Sequence, residues 1–185
     1  RSGGVLPVLK HMPGHGRASV DSHYGLPAVE ADRATLEATD FSAFRALAGL
    51  PMAMSAHIVF TAIDPVAPAT ISATMVREVI RGSIGFDGLL MTDDVSMQAL
   101  NGAVGDRAAA AIAAGCDVVL HCNGNLDEMQ AVAAAVPKLK GKARRRAAAA
   151  LAWAGPISPI DTAAARAEFS TMLADGRSAT AAVAS

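Results

Sequence analysis

Four short, continuously apolar segments, separated by helical patterns, constrain the fold of this chain more than any other feature. None of them alternates apolar and polar residues, so each is typical of a strand covered on both faces. Strands that alternate with helices indicate a parallel sheet joined by right-handed crossovers. The predicted strands are residues 5–9, 52–56, 89–91 and 118–120.

The helical patterns between these strands carry start and stop signals. Asp and Ser side chains can cap the amino end of a helix, whereas Gly and Pro end one. The predicted caps are Asp40, Ser72, Asp106 and Asp127, and the corresponding ends are Gly49, Gly82, Gly115 and Pro137. The Ala-rich segment 138–185 predicts a helix that packs an Ala/Leu/Trp face, with the basic run 144–146 on a solvated face.

Two α/β architectures fit this order, a doubly wound sheet and a (β/α)8 TIM barrel. Both place sites at the carboxyl ends of the strands, and here each predicted strand is followed by polar, reactive side chains. This repetition, without a glycine-rich phosphate loop, favours the barrel. A barrel needs eight strands and roughly 250 residues, but the chain has 185 residues. We therefore expect the C-terminal half of a barrel, strands five to eight, in residues 1–155, followed by a partly helical or disordered tail in residues 156–185.

Composition narrows the class of partner. The formal net charge is −1 and aromatic residues make up 4% of the chain, so neither nucleic acid nor a membrane surface is an expected partner. No apolar run reaches the length that spans a bilayer. The two cysteines are too few for a disulfide-rich secreted domain. We expect a cytoplasmic protein in which Cys116 and Cys122 are small buried hydrophobic residues.

A loop rich in ionisable residues follows the first predicted strand, with the sequence KHMPGHGRASVDSHYGLP. Asp21 and His23 are two residues apart, so an extended loop can bring them within hydrogen-bonding distance. A carboxylate on one imidazole nitrogen fixes the tautomer and raises the basicity of the ring. His23 is therefore a candidate for proton transfer near neutral pH. A surface loop with ordinary histidines is the alternative.

A second candidate lies in the segment MTDDVSM. Asp93 directly follows an apolar run, and a carboxylate there is costly unless it has partners or a function. It can serve as a nucleophile, a base or a ligand. Asp94 points elsewhere in an extended chain and is expected to cap a helix or make structural hydrogen bonds. A metal site built from the loop histidines and these aspartates is a further alternative, but no metal-binding spacing is present, so no metal is expected.

Several of these segments, in the same order, resemble bacterial β-N-acetylhexosaminidases of glycoside hydrolase family 3. The segments are KHMPGHG, DSH, AMSAHIVFTAIDP, PATIS and IGFDGLLMTDDVSM, and the resemblance runs from about Gly4 to about Asn123. The family fold that it implies is a (β/α)8 barrel. Many members carry an acidic residue after PGHG, where this chain has Arg17, and we expect that difference to alter loop contacts only.

The resemblance also implies roles for individual residues. Asp93 matches the catalytic nucleophile, His23 the general acid/base and Asp21 its partner. Side chains that hold the sugar are matched by Lys10, His11 and, near the same subsite, His15. His57, at the end of the second predicted strand, is expected to support the site. No cofactor is implied.

The implied activity is that of a retaining exo-β-N-acetylglucosaminidase that acts on peptidoglycan-derived muropeptides in cell-wall recycling. The reaction would be a double displacement through a glycosyl-aspartate. Two alternatives stay open, an N-acetylglucosaminide phosphorylase and a non-catalytic sugar-binding remnant. The family's first four strands supply further sugar-binding residues. We therefore expect the missing N-terminal half-barrel to be the partner of this chain, and the chain alone to be inactive.

Overall fold

A computed structural model describes residues 4–22, 24–156 and 159–183, with side chains described as far as residue 174. The chain divides into two compact units. One is Leu6–Ala154, and the other contains the C-terminal helix Thr162–Val183. No helix in the described ranges combines the length and the apolarity needed to cross a membrane.

Four parallel strands form the central sheet of the larger unit, and two short parallel strands form a separate pair. The strands are β1 (Val8–Met12), β2 (Ala28–Val29), β3 (Met52–Ser55), β4 (Val59–Phe60), β5 (Leu89–Asp94) and β6 (Val118–Leu120). The central sheet has the order β1-β3-β5-β6, and β2 pairs with β4. Each connection therefore moves one strand along the central sheet in the same direction. This confirms the predicted parallel α/β arrangement.

Helical segments lie between β2 and β3, between β4 and β5 and between β5 and β6, and further helices follow β6. They are α1 (Arg33–Ala38), α2 (Asp40–Arg45), a 3-10 turn (Ala69–Ile71), a π-helix (Met75–Ser83), α3 (Val104–Ala114), α4 (Leu126–Ala135), α5 (Gly141–Trp153) and α6 (Thr162–Val183). The main core joins α1, α2, the π-helix and α3 to the strands, and its largest buried members include Phe41, Phe60 and Phe86.

The predicted limits of two strands are wrong. The first strand was placed at residues 5–9, but β1 begins at Val8 and includes Lys10 and His11. Its pairing with β3, which extends to the match of Met12 with Ser55, sets these limits, whereas Val5 is 69% exposed. β5 likewise continues beyond the predicted residues 89–91, so that Asp93 lies within the strand. Pairing with the neighbouring strand, and not local apolarity, decides where each strand ends.

The predicted starts and ends of the helices are correct only in part. Ser72 does cap, since its Oγ accepts a hydrogen bond of 3.0 Å from the backbone N–H of Met75. Gly115 ends α3 in the left-handed conformation, with φ of 115°. Three of the predicted starts are wrong: α2 begins at Asp40 after Thr39, α3 begins at Val104, and Asn125 caps α4. Helix α2 also ends at Arg45, well before Gly49.

Helix α1 was not predicted at all, although it carries a clear amino-terminal cap. The Asp32 side chain accepts a hydrogen bond of 2.8 Å from the backbone N–H of Thr35. The helix is only 6 residues long and buries Leu36 alone. Its apolar pattern is therefore too short to stand out in the sequence.

The basic run 144–146 is not wholly a solvated face, because Arg146 lies in a buried ion-pair network. One oxygen of Asp117 accepts hydrogen bonds from Arg81 (2.8 Å) and from the backbone N–H of Leu90 (2.9 Å). The other accepts one from Arg146 (3.0 Å). The network joins the π-helix and α5 to β5. The predicted apolar packing of α5 is also incomplete, since Leu151 is 72% exposed.

The two faces of the central sheet are covered unequally. The face toward the helices is buried, and its side chains are Ala53, Ser55, Leu90 and Thr92. Successive side chains of a strand point to opposite faces, and the opposite face carries Met52, Met54 and Met91, which are only partly buried, and Leu89, which is buried. Within the described residues, the expectation that the strands are covered on both faces is therefore met in full on one face only.

Replacement of one core leucine tests the packing of the helix-covered face. Leu90→Ala should lower the free energy of unfolding by about 2–5 kcal/mol, because Leu90 is fully buried and its removal leaves a cavity. Leu151→Ala, the same change at an exposed position of α5, should alter it by less than about 0.5 kcal/mol. Urea unfolding followed by circular dichroism measures both. Equal effects of the two substitutions would contradict the assignment of Leu90 to the core.

Candidate active site

The carboxyl ends of β1 and β5 and the loop after β1 line an open cleft. Its volume is about 400 Å³. Four of the residues predicted for the site from the sequence meet here, and the lining consists of His11, His15, Gly16, Asp21, Ser22 and Asp93. Strand alternation places Asp93 on the open face of the sheet, together with Met91.

Both carboxylate oxygens of Asp93 lie near a nitrogen. The backbone N–H of Asp94 donates a hydrogen bond of 2.8 Å to Oδ1. Oδ2 lies 3.4 Å from Nε2 of His11. The side chain of Asp93 retains 15% exposure. One oxygen is thus fixed by the protein backbone, while the other faces the cleft.

Two imidazole rings stand next to each other beside this carboxylate. The rings of His11 and His15 have centroids 5.6 Å apart and an edge-to-face arrangement. Burial lowers the pKa of His11, as does the positive charge of Lys10, while the Asp93 carboxylate opposes the shift. Nε2 of His15 lies 3.2 Å from the Ser22 hydroxyl. His11 is therefore neutral at physiological pH and can act as a hydrogen-bonding group.

Not every predicted site residue lines the cleft. Lys10 is exposed on β1 and is absent from the lining, although its charge affects His11. His23 lies outside the described residues. Its predicted pairing with Asp21 therefore stays a prediction.

Arg17 ties the loop to the helical layer. Its guanidinium donates hydrogen bonds of 2.7 Å to Asp40 and 3.1 Å to the Thr39 hydroxyl. Although burial raises it, hydrogen bonds from Arg17 and Thr39 hold the pKa of Asp40 below its usual range. Gly14 lies against the same side chain, since an added Cβ would come within 3.3 Å of Cβ of Asp40. Arg17 and Gly14 thus both pack the loop against Asp40 at the start of α2.

The neighbouring Asp94 carboxylate has a structural role, which confirms the expectation. It accepts hydrogen bonds from the backbone N–H (3.0 Å) and the hydroxyl (2.6 Å) of Ser96. Although burial raises it, these bonds hold the pKa of Asp94 below its usual range, with a further contribution from Cys122. Cys122 is exposed, so the expectation of two buried cysteines is correct only for Cys116, whose thiol pKa burial raises to about 12.

His57 lies beneath the cleft and is fully buried. Its Nδ1 lies 2.8 Å from the Thr70 hydroxyl, and its Nε2 lies 3.0 Å from the carbonyl oxygen of Asp94. Burial lowers the pKa of this ring. A supporting position for His57 agrees with the prediction from the sequence, whereas Thr70 was not predicted. The only available signal was the position of Thr70 in the PATIS segment, among apolar residues.

Arg107, on α3, was also missed. Its guanidinium donates hydrogen bonds to the carbonyl oxygens of Val95 (2.9 Å), Met97 (3.1 Å) and Gly102 (2.9 Å). These bonds hold the segment that follows β5. No pattern in the sequence indicates an arginine whose partners are backbone carbonyl groups. Across the described residues, no cluster of three or more His, Cys, Asp or Glu side chains has an arrangement that could hold a metal ion.

Comparisons with known proteins agree with this arrangement. The sequence profile described as "Glycosyl hydrolase family 3 N terminal domain" matches residues 1–151. A β-hexosaminidase of Alkalilimnicola ehrlichii is 46% identical over 127 residues, which cover 66% of this chain and 36% of that protein. A β-hexosaminidase of Chromobacterium violaceum is 38% identical over 176 residues, which cover 89% of this chain and 49% of that protein.

A solved structure extends the likeness to the fold. NagZ from Neisseria gonorrhoeae, in complex with N-trifluoroacetyl-D-glucosamine, superposes with a TM-score of 0.69 and 32% sequence identity, over 80% of this chain and 43% of that chain. The present chain thus spans less than half the length of each of these relatives. Because the family profile matches most of the sequence, the chain belongs to glycosyl hydrolase family 3.

Proposed function

We propose that this chain is the C-terminal half, strands five to eight, of a (β/α)8 catalytic barrel. Residues 1–155 would form the barrel part and residues 156–185 the tail. The order β1-β3-β5-β6, in which each connection advances by one strand, is that of consecutive barrel strands. The coverage of 36% to 49% of the curated relatives agrees with half a barrel.

The uneven burial of the sheet supports the same proposal. In a closed barrel the inward side chains pack against those of the opposite strands. Met52, Met54 and Met91 are inward in this arrangement, and they are only partly buried in the isolated chain. The outer strands β1 and β6 each have one edge without a partner in the central sheet of the described chain. A second half-barrel would cover the methionines and pair with both edges.

The proposed activity of the whole protein is that of a retaining β-N-acetylglucosaminidase. The observation that carries this proposal is the Asp93 carboxylate at the carboxyl end of β5. It is fixed through Oδ1 and meets His11, His15 and Asp21 in one cleft. Relatives named β-hexosaminidase, and a homologous structure with an N-acylated glucosamine, support this class of substrate.

The proposed reaction is a double displacement. Oδ2 of Asp93 attacks the anomeric carbon, and the bond from that carbon to the leaving oxygen breaks as His23 protonates the oxygen. The resulting glycosyl ester on Asp93 is hydrolysed by water, which gives its proton to His23. Two inversions at the same carbon retain the β-configuration. Asp21 orients His23 in this scheme and stabilises its protonated ring.

The substrate is proposed to be a peptidoglycan-derived muropeptide with a terminal N-acetylglucosamine, processed during cell-wall recycling in the cytoplasm. His11 and His15 lie beside the attacking oxygen, where they can hydrogen-bond sugar hydroxyls. Lys10 is proposed to bind the same sugar from β1. The first four strands would complete the sugar subsite.

The nucleophile assignment has a direct test in the full-length protein. Asp93→Asn should reduce kcat on 4-nitrophenyl N-acetyl-β-D-glucosaminide by at least about 10³-fold, because an amide oxygen is a poor nucleophile. A 2-fluoro glycoside should label Asp93 in the parent protein and not in the variant. The matched control is Asp94→Asn, which removes a structural carboxylate and should leave the label at Asp93. Labelling at Asp94 would show that the wrong aspartate has been chosen.

The half-barrel proposal predicts that the 185-residue chain alone has no measurable turnover of the same chromogenic substrate. The reason is that the sugar-binding residues of the first four strands are absent. Co-expression with a second polypeptide that contains those four strands should restore activity. The assay is run with and without phosphate, because phosphate-dependent release of a sugar 1-phosphate would identify the phosphorylase alternative. Robust turnover by the isolated chain would contradict the half-barrel proposal.

A further inference from the structure

We infer that His57, through a buried chain of hydrogen bonds that includes Thr70 and Ser55, is a positioning residue for the nucleophile Asp93. The inference rests on the proposed function, because it gives Asp93 the role of nucleophile. His57 and Ser55 belong to β3 and its immediate continuation, Thr70 to the following 3-10 turn, and Asp94 to β5. The side chains of Ser55, His57 and Thr70 are all fully buried.

The partners of the ring determine its protonation. Nε2 lies 3.0 Å from the carbonyl oxygen of Asp94, which can only accept, so Nε2 carries a proton. Burial lowers the pKa of the ring, which is therefore neutral, and Nδ1 must be an acceptor. The Thr70 hydroxyl, at 2.8 Å, is the donor to Nδ1.

The Ser55 hydroxyl is the first donor in this series of hydrogen bonds. It lies 2.7 Å from Oγ1 of Thr70 and donates to that oxygen, since the single Thr70 proton is given to His57. The carbonyl oxygen of Ala56, at 3.0 Å from Oγ1 of Thr70, can accept a second hydrogen bond beside that of the Thr70 backbone N–H, but Nδ1 of the neutral ring is left with the Thr70 hydroxyl as its donor. The resulting order of donation is Ser55 to Thr70, Thr70 to His57, and His57 to Asp94.

Asp94 links these hydrogen bonds to the nucleophile Asp93. Asp94 accepts the hydrogen bond of His57 through its carbonyl oxygen and donates its backbone N–H to Oδ1 of Asp93. The Asp94 side chain is held by Ser96 as well. The Asp94 carbonyl and N–H groups belong to successive peptide units of one residue, so His57 fixes the backbone of Asp94 and, through it, the N–H that orients the carboxylate, while Oδ2 stays beside His11.

His57 cannot serve as a sugar ligand in this arrangement, because it has no exposed surface and both ring nitrogens are occupied. Its effect on the reaction is through geometry. A displacement of about 1 Å at the reacting atoms can cost about 10²-fold in rate. Loss of the hydrogen bond to Asp94 should therefore affect kcat and leave sugar binding almost unchanged.

The tautomer can be observed in the 185-residue chain without any assay of activity. Nitrogen-15 NMR of the His57 ring should show a protonated Nε2 and an unprotonated Nδ1. This state should persist at about pH 6.5, where a free imidazole is half protonated. The titratable and charged groups that interact with the ring are Asp93, Asp94, Arg107 and His11. A ring protonated at Nδ1, or a doubly protonated ring at that pH, would overturn the inference.

Kinetics of the full-length protein test the positioning role. His57→Leu should lower kcat by about 10- to 100-fold with KM changed less than about 2-fold. His57→Gln keeps an N–H group that can reach the Asp94 carbonyl oxygen, and it should recover at least half of the lost activity on a logarithmic scale. Thr70→Val, which removes the donor to Nδ1, should act in the same direction as His57→Leu. Thr61→Val, at an exposed position, is the matched control for loss of a threonine hydroxyl.

Comparison of the Asp93 and His57 variants distinguishes a failure of this inference from a failure of the proposed function. If Asp93→Asn abolishes turnover while His57→Leu and Thr70→Val both retain parental kcat, the positioning role is wrong and the nucleophile assignment stands. If Asp93→Asn retains parental kcat, the proposed function fails. A rise in KM with unchanged kcat in the His57 variants would also overturn the inference, because it would indicate a contribution to binding. Should His57→Leu fail to fold, Thr70→Val and His57→Gln decide the question.

Discussion

β3 and β5 pair in parallel, with Met52 opposite Leu89, Ala53 opposite Leu90 and Met54 opposite Met91. Parallel pairing brings the carboxyl ends of the two strands to the same edge of the sheet. His57, just past the end of β3, consequently lies within hydrogen-bonding distance of Asp94 at the end of β5. A slip of one residue in this register would turn the side chains of β5 to the opposite faces. Asp93 would then leave the cleft.

The buried polar groups beneath the cleft explain why this register is well defined. An unsatisfied buried polar group costs about 1–3 kcal/mol, and His57 is fully buried with both ring nitrogens paired. The pairing requires Thr70 in the 3-10 turn and the Asp94 carbonyl oxygen at the end of β5. A slip in register would move the Asp94 carbonyl oxygen away from Nε2 of His57. The same hydrogen bonds thus specify the fold and orient the carboxylate, so a loss of stability alone cannot identify the role of His57 in the reaction.

The sequence was sufficient to predict that polar residues at strand ends would meet, because parallel strands share one carboxyl edge. His11, His15, Asp21 and Asp93 do line one cleft. Local patterns could not give the limits of β1, which depend on its partner strand. Helix α1 was missed because it is short and buries little. Arg107 and Thr70 were missed for a common reason, since their roles depend on contacts with residues distant in sequence.

The structure separates two requirements of the proposed reaction. Orientation of Asp93 depends on β3, β5 and the turn between them, all of which lie within residues 52–96. In the proposed function the sugar binds at the open face of the sheet, where Met54 and Met91 are only partly buried. On the half-barrel proposal, the missing strands would add to this second surface and would leave the buried chain under Asp93 unchanged. Inactivity of the isolated chain would then reflect the loss of substrate binding, with the nucleophile already oriented, and the tautomer of His57 should be the same in the isolated chain and in the complete barrel.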